Sequence, residues 1–203
     1  MRTLAIETAS EACSVALFDG DHLVSHRHEV LGRGHAERLV PMIEELPDRG
    51  EASRILVSLG PGSFTGVRIG LAVARALAIV WRARVSGYPT LSLLATMAQR
   101  LGEEPVTVCV NGGHGQWFVQ DFGPQGRPLN GLVSLTPDEA RDRTHQRIAV
   151  GNRASDLLTD GHAGYKALDL RPDARAAVLL PPEMLLDTLI PLYGRQPDAR
   201  LPG

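Results

Sequence analysis

Lysine is almost missing from this 203-residue chain: Lys166 is the only one among 21 basic residues, and the rest are arginine. Aromatics are scarce too, at 4%, so a core must be built from aliphatic side chains and alanine. The formal net charge is −2, which argues against a chain that grips nucleic acid unaided, because such proteins carry a basic stripe. Only two cysteines occur, Cys13 and Cys109. Each lies in an apolar run and reads as a small buried hydrophobe rather than half of a disulfide. No signal peptide and no run of 18 apolar residues stands out, so a soluble, reduced, cytoplasmic protein without membrane contact is expected. Hydrophobic content of 43% and charged content of 22% are ordinary for a globular fold.

The first hundred residues carry a clear order of elements. "TLAIETA", "ACSVALFDG" and "HLVSHRHEV" read as three strands, with Asp19-Gly20 as a hairpin turn. "HAERLVPMIEEL" sets Leu39, Met42, Ile43 and Leu46 at i, i+3, i+4 and i+7, an amphipathic helix with Pro41 inside it. "RILVSL" is a short buried strand, a glycine loop leads into a helix from about Val67 to Val80, "ARVSGYP" is another strand, and "TLSLLATMAQRL" is a helix with Thr90 as a candidate N-cap. After "GEEP" the signals thin: two strands around "NGGHG", a capped short helix in "TPDEARDR", a strand in "RIAVG", a helix in "ASDLL", and a tail from "PPEMLL" that starts as a helix and ends extended. The expected division is residues 1–102 and a smaller unit, 103–203, whose tail returns to the first. Both halves open with strand pairs, as a duplicated α/β unit would.

Three candidate sites follow from the residues. The loop "GPGSFTG" joins a strand to a helix N-terminus, where converging N–H groups suit an anion. It is no Walker A sequence, and Gly66 falls one residue late for the dinucleotide fingerprint. Gly60, Gly62, Ser63, Thr65 and Gly66, with Glu7 at the end of the first strand, are thus either a phosphate loop, working or vestigial, or simply a tight strand-to-helix turn. His26 and His28 share a strand face and could clasp a metal, or be solvent-facing polar residues. The helix after the loop is apolar nearly all round, with small Gly70, Ala72, Ala74, Ala76 and Ala78, and only Arg68 and Arg75 break it. It is either a core helix or half of a partner interface. No G-x-S-x-G elbow occurs, so a serine hydrolase is not expected.

"LAIETAS", "ACSVALFDGD", "GHAERLVPMIEEL", "GPGSFTGVRIGLAVARALA", "VSGYPTLSLLA" and the tail "PLYGRQPDA" occur in the order found in the TsaB (YeaZ) family of bacterial tRNA threonylcarbamoyladenosine biosynthesis, which the chain resembles. The resemblance implies an α/β fold of two ribonuclease-H-like subdomains, of the actin, hexokinase and Hsp70 (ASKHA) type, the second reduced. It implies no catalysis and no cofactor: the family's members are paralogues of TsaD, the transferase acting on adenosine 37 of ANN-decoding tRNAs. They pair with it through a four-helix bundle, and the ATPase TsaE joins the complex. A homodimer is expected as an alternative when the chain is alone, and tRNA contact only through the complex.

Carried onto this sequence, the resemblance puts a partner surface on His35, Leu39, Met42, Ile43 and Leu46 of the first helix and Val67, Arg68, Leu71, Ala74, Arg75 and Ala78 of the second. Family members commonly carry Asp where Glu7 stands. The stretch "GYPTLSLL" lacks the histidines of the TsaD metal site, so no metal is expected. "NGGHGQWFVQ" departs from the family's "DAR.GEVY" pattern. The alternative is a small ATP- or phosphate-binding enzyme of the actin-like superfamily that uses Glu7 and the loop.

Overall fold

The computed structural model describes residues 1–102, 105–143, 146–158 and 164–194. Two mixed sheets form the molecule. The first uses β1 (Arg2–Glu7), β2 (Ala12–Asp19), β3 (His22–Val30), β4 (Arg54–Ser58) and β5 (Arg84–Tyr88), in the order β3-β2-β1-β4-β5. β1, β2 and β3 pair antiparallel, whereas β4 and β5 are parallel to β1. The β2–β3 hairpin turns on Gly20-Asp21, one residue later than the sequence suggests, with Gly20 at φ 58° and Asp19 opposite His22.

The helices are α1 (His35–Glu44), α2 (Phe64–Trp81) and α3 (Thr90–Gln99). α1 and α2 cover one face of the first sheet. Leu39, Met42 and Ile43 from α1 and Val67, Leu71 and Ala74 from α2 lock against Leu4, Ile6, Val15, Leu17, Ile55 and Val57. α2 starts three residues before the expected point because Ser63 caps it, its Oγ accepting from Gly66 N at 3.1 Å. Thr90 is no cap. It is the first residue of α3, and its Oγ1 lies 2.6 Å from Ser58 Oγ in the core.

The second sheet comprises β6 (Val106–Gly113), β7 (Gln116–Gly123), β8 (Arg127–Pro128), β9 (Val133–Leu135), β10 (Ile148–Val150) and β11 (Lys166–Leu168). Its order is β11-β10-β6-β7-β8, with β9 also on β7. The wiring repeats that of the first sheet: a first strand antiparallel to its successor and parallel to two later strands. Only the helices differ, since α4 (Pro137–Arg141) and α5 (Ala154–Leu157) are a turn or so long. α4 carries a full capping box, Thr136 with Glu139.

The halves exchange covers. α3 packs Leu91, Leu94, Ala95 and Ala98 against Val106, Val108, Phe118 and Phe122 of the second sheet. In return the 3-10 turn Ala174–Leu179 packs on Ala5, Ala16 and Phe18 of the first. Among the described residues the tail makes no α-helix: after a short 3-10 turn, Pro182–Met184, it runs on as non-helical chain. Leu186 bonds Gly87 in both directions, and Leu192 N donates to Leu59 O at 2.8 Å. Leu186, Leu189 and Leu192, every third residue, all pack on the first core. The end of the family-like tail motif, from residue 195, lies outside the described residues.

Candidate functional site

The glycine loop is consumed by packing. Ser63 N donates to Ala9 O at 2.6 Å, Thr8 Oγ1 to Gly66 O at 2.8 Å, and Gly60 N to Ser58 Oγ at 3.3 Å. A Cβ on Gly62 would strike the Ala9 carbonyl, and one on Gly66 the Thr8 carbonyl. These glycines therefore bring the start of α2 against the end of β1, and several loop amides already have protein acceptors. Thr65 is exposed on the first turn of α2.

Glu7 is fully buried beneath this joint. Its Oε1 accepts from Ala9 N at 2.7 Å, while Oε2 has no partner among the described residues. Desolvation, only partly offset by the hydrogen bond from Ala9 N and by the nearby Ser58 and Tyr88 hydroxyls, pushes its pKa up to about 7. The carboxyl is thus a poor anchor for a solvated cation. Burial likewise drives Cys13 and Cys109 up to about 12, which leaves both thiols unreactive at neutral pH.

The expected partner surface needs correction. Leu39, Met42, Ile43, Leu46, Val67, Leu71 and Ala74 are all buried inside the chain, at 4% exposure or less, and Ala78 is half-buried against the same cluster. The physical reason is that an amphipathic stripe satisfies its own sheet first, so these side chains are not available to a second protein. His35 is also buried, with Nε2 3.2 Å from Ala12 O. Arg68 and Arg75 are exposed, but they hold the tail. Arg68 Nη2 donates to Tyr193 Oη at 3.3 Å, and Arg75 Nη2 donates to Leu189 O at 2.7 Å.

The outward arc is a different set, missed from sequence: Ala36 and Val40 on α1, with Ala72, Ala76, Ile79 and Val80 on α2. Ile79 is 81% and Val80 76% exposed, a large apolar area to leave in water at the end of one helix. Val40, Ile43, Leu77 and Trp81 line a dent of about 190 Å³ between the two helices. Acidic Glu37 and Glu44 edge the α1 side, and Arg75 and Arg82 the α2 side. A usable signal was present: once α1's stripe is assigned to the core, Ala36 and Val40 must point away from it. Separately, α2 is by length and composition alone apolar enough to cross a membrane, with mean hydropathy 1.5. In this fold it lies on the first sheet.

His26 and His28 sit on β3, half-buried. Among the described residues no three His, Cys, Asp or Glu side chains gather as a metal set. The alternate residues of β3, Arg27 and Glu29, point to its other face and join an ion-pair network there, with Arg38 between Glu29 and Glu45, and Arg27 on Glu45 at 2.9 Å.

Two α/β units with the same strand wiring, facing each other across a cleft and exchanging covers, define a protein of the actin/hexokinase-like class. The ethanolamine utilization protein EutJ from Carboxydothermus hydrogenoformans shares the fold at 9% identity, with a TM-score of 0.51 over 89% of this chain and 90% of that one. A family model described as TsaD, tRNA N6-adenosine threonylcarbamoyltransferase, matches residues 27–166. The tRNA threonylcarbamoyladenosine biosynthesis protein TsaB of Escherichia coli (strain K12) is 41% identical over 159 residues, covering 72% of this chain and 67% of that protein. YeaZ from Pseudomonas aeruginosa superposes with a TM-score of 0.75 at 27% identity, over 95% of this chain and 99% of that one. The chain belongs to the TsaB (YeaZ) family.

Proposed function

We propose that this chain is a non-catalytic subunit that docks on TsaD and supports threonylcarbamoyladenosine formation at adenosine 37 of tRNA, in the cytoplasm. The observation that carries this reading is the apolar arc of α1 and α2, capped by Ile79 and Val80. A pair of adjacent helices with small Ala72 and Ala76 between larger side chains suits close packing against a second helix pair. Membership of a family whose members are named for this biosynthesis supplies the pathway. The fate of Glu7, with a raised pKa and no access to solvent, supports a chain without its own chemistry. TsaE joins the same complex in this proposal, tRNA is met only through it, and a second copy competes for the arc when TsaD is absent.

The test is reconstitution. TsaD with tRNA and its threonylcarbamoyl donor should modify the tRNA only, or far faster, when this chain is added, while the chain without TsaD gives no product and no ATP turnover. Full TsaD activity without the chain, or ATP hydrolysis by the chain lost in Glu7→Ala, would reject the proposal.

A further inference from the structure

A cavity of about 850 Å³ lies in the cleft between the two sheets, and none of the outward α1–α2 arc residues lines it. Its size falls within the range of small-molecule sites, and like them it combines a mostly apolar surface with polar side chains, here including Glu11, Arg68, Asn152 and Arg171. Separated pieces of chain build it, among them the β1–β2 turn, the start of α2, the β6–β7 hairpin, the segments following β10 and β11, and the tail. The apolar part comprises Val67, Val110, Phe118 and Leu192, with Phe64 and Tyr193 at the rim, ring centroids 5.8 Å apart.

Charge selects the ligand. Glu11 is the sole carboxylate on the described lining, and both its oxygens are taken. Asn152 Nδ2 donates to them at 3.1 and 2.9 Å, and Arg171 Nε lies 3.2 Å from Oε1. Arg171 is further spent on Asp169. Arg68 differs: its guanidinium lies 3.7 Å from the Phe64 ring centroid and touches the Tyr193 hydroxyl, yet no carboxylate among the described residues neutralises it. Among the described residues the cleft therefore offers one cation without a carboxylate partner beside an apolar floor, and no unpaired carboxylate to hold a divalent metal. A metal-bound polyphosphate does not fit that donor set, whereas a single anion on a flat body does.

We propose that the cleft binds a small molecule with a flat aromatic body and one anionic group, the anion on Arg68 and the ring among Val67, Val110, Phe118 and Leu192. An aromatic carboxylate and a nucleoside monophosphate share this chemistry. The test titrates the full chain calorimetrically with 1-naphthoate, AMP, adenosine and inorganic phosphate. One of the first two should bind saturably, and its identity separates the sources. Adenosine, with no anion, and phosphate, with no ring, should bind at least tenfold more weakly. Arg68→Gln and Phe64→Ala, both at exposed positions and checked for unchanged melting, should each weaken binding tenfold or more. Ile79→Asp, on the docking arc, should leave it alone. Absence of binding by both 1-naphthoate and AMP at millimolar concentration, or binding that survives Arg68→Gln and Phe64→Ala unchanged, overturns the proposal. The readout needs no TsaD, so cleft binding and docking stand or fall separately.

Discussion

The two halves share one strand plan and differ in what covers it. In the first, α2 runs for 18 residues and α1 for 10. In the second, the helices at equivalent places, α5 and α4, run for 4 and 5. Both halves bring the end of the fourth strand's connection against the first strand by the same device. Gly66 abuts Thr8 O in one, and Gly151 abuts Cys109 O in the other, where its φ of 114° also favours glycine. The close joint is thus common to the plan, and the long helices are particular to the first half. Only there does enough helix project to show one face to the core and another to solvent. The apolar arc follows from helix length, not from the sheet.

The first way to break this comparison is through the joint. Gly66→Val should destabilise the protein by about 3 kcal/mol or more, because the added carbon meets backbone that cannot step aside. Gly131→Val, at a glycine with open space around it, should change little. Denaturant melts of the two variants check this, and equal stabilities would show that the joint is not close-packed.

Glu7 comes next in size. Its folded pKa of about 7 lies above the unfolded 4.5, so the folded state holds a proton that the unfolded state has released. This group's contribution is complete below pH 4.5 and is lost as pH rises through 7, by at most about 3 kcal/mol at 1.36 kcal/mol per unit. Glu7→Gln should remove that loss and melt higher than wild type at pH 8, with the gap closing towards pH 4.5. A Gln variant that melts lower than wild type at pH 8 would contradict the buried, proton-holding carboxyl. In the second half, Thr136→Ala should cost about 1 kcal/mol through the lost capping box, as read from the same denaturant melts.

The sequence told these features apart unevenly. Hairpins and the α1 stripe were legible because alternation and the 3.6-residue period are local. So was α4, because Thr136, Pro137 and Glu139 spell a cap. The outward face of α2 was not, since apolar and small residues surround that helix and burial depends on which side the sheet lies. The tail, expected to start as a helix, does not: Leu186, Leu189 and Leu192 pack on the first core from a non-helical strap whose backbone partners, Gly87 and Leu59, lie far away in sequence. Arg68 and Arg75 were legible as exceptions on an apolar helix, but not as clasps on a strap more than a hundred residues away. The shared strand plan was visible only in the opening strand pair of each half, because the shrunken helices of the second half hide the rest.

The smallest change in stability, within about 0.5 kcal/mol, belongs to Ile79→Asp, because the side chain is 81% exposed. The same substitution puts a carboxylate at the apolar end of the proposed docking arc, where an unpaired buried charge is costly. Calorimetric titration of TsaD with wild type and with Ile79→Asp therefore tests the central claim most directly. The account predicts an unchanged melting temperature and at least tenfold weaker binding. Wild-type affinity from the folded variant would contradict it.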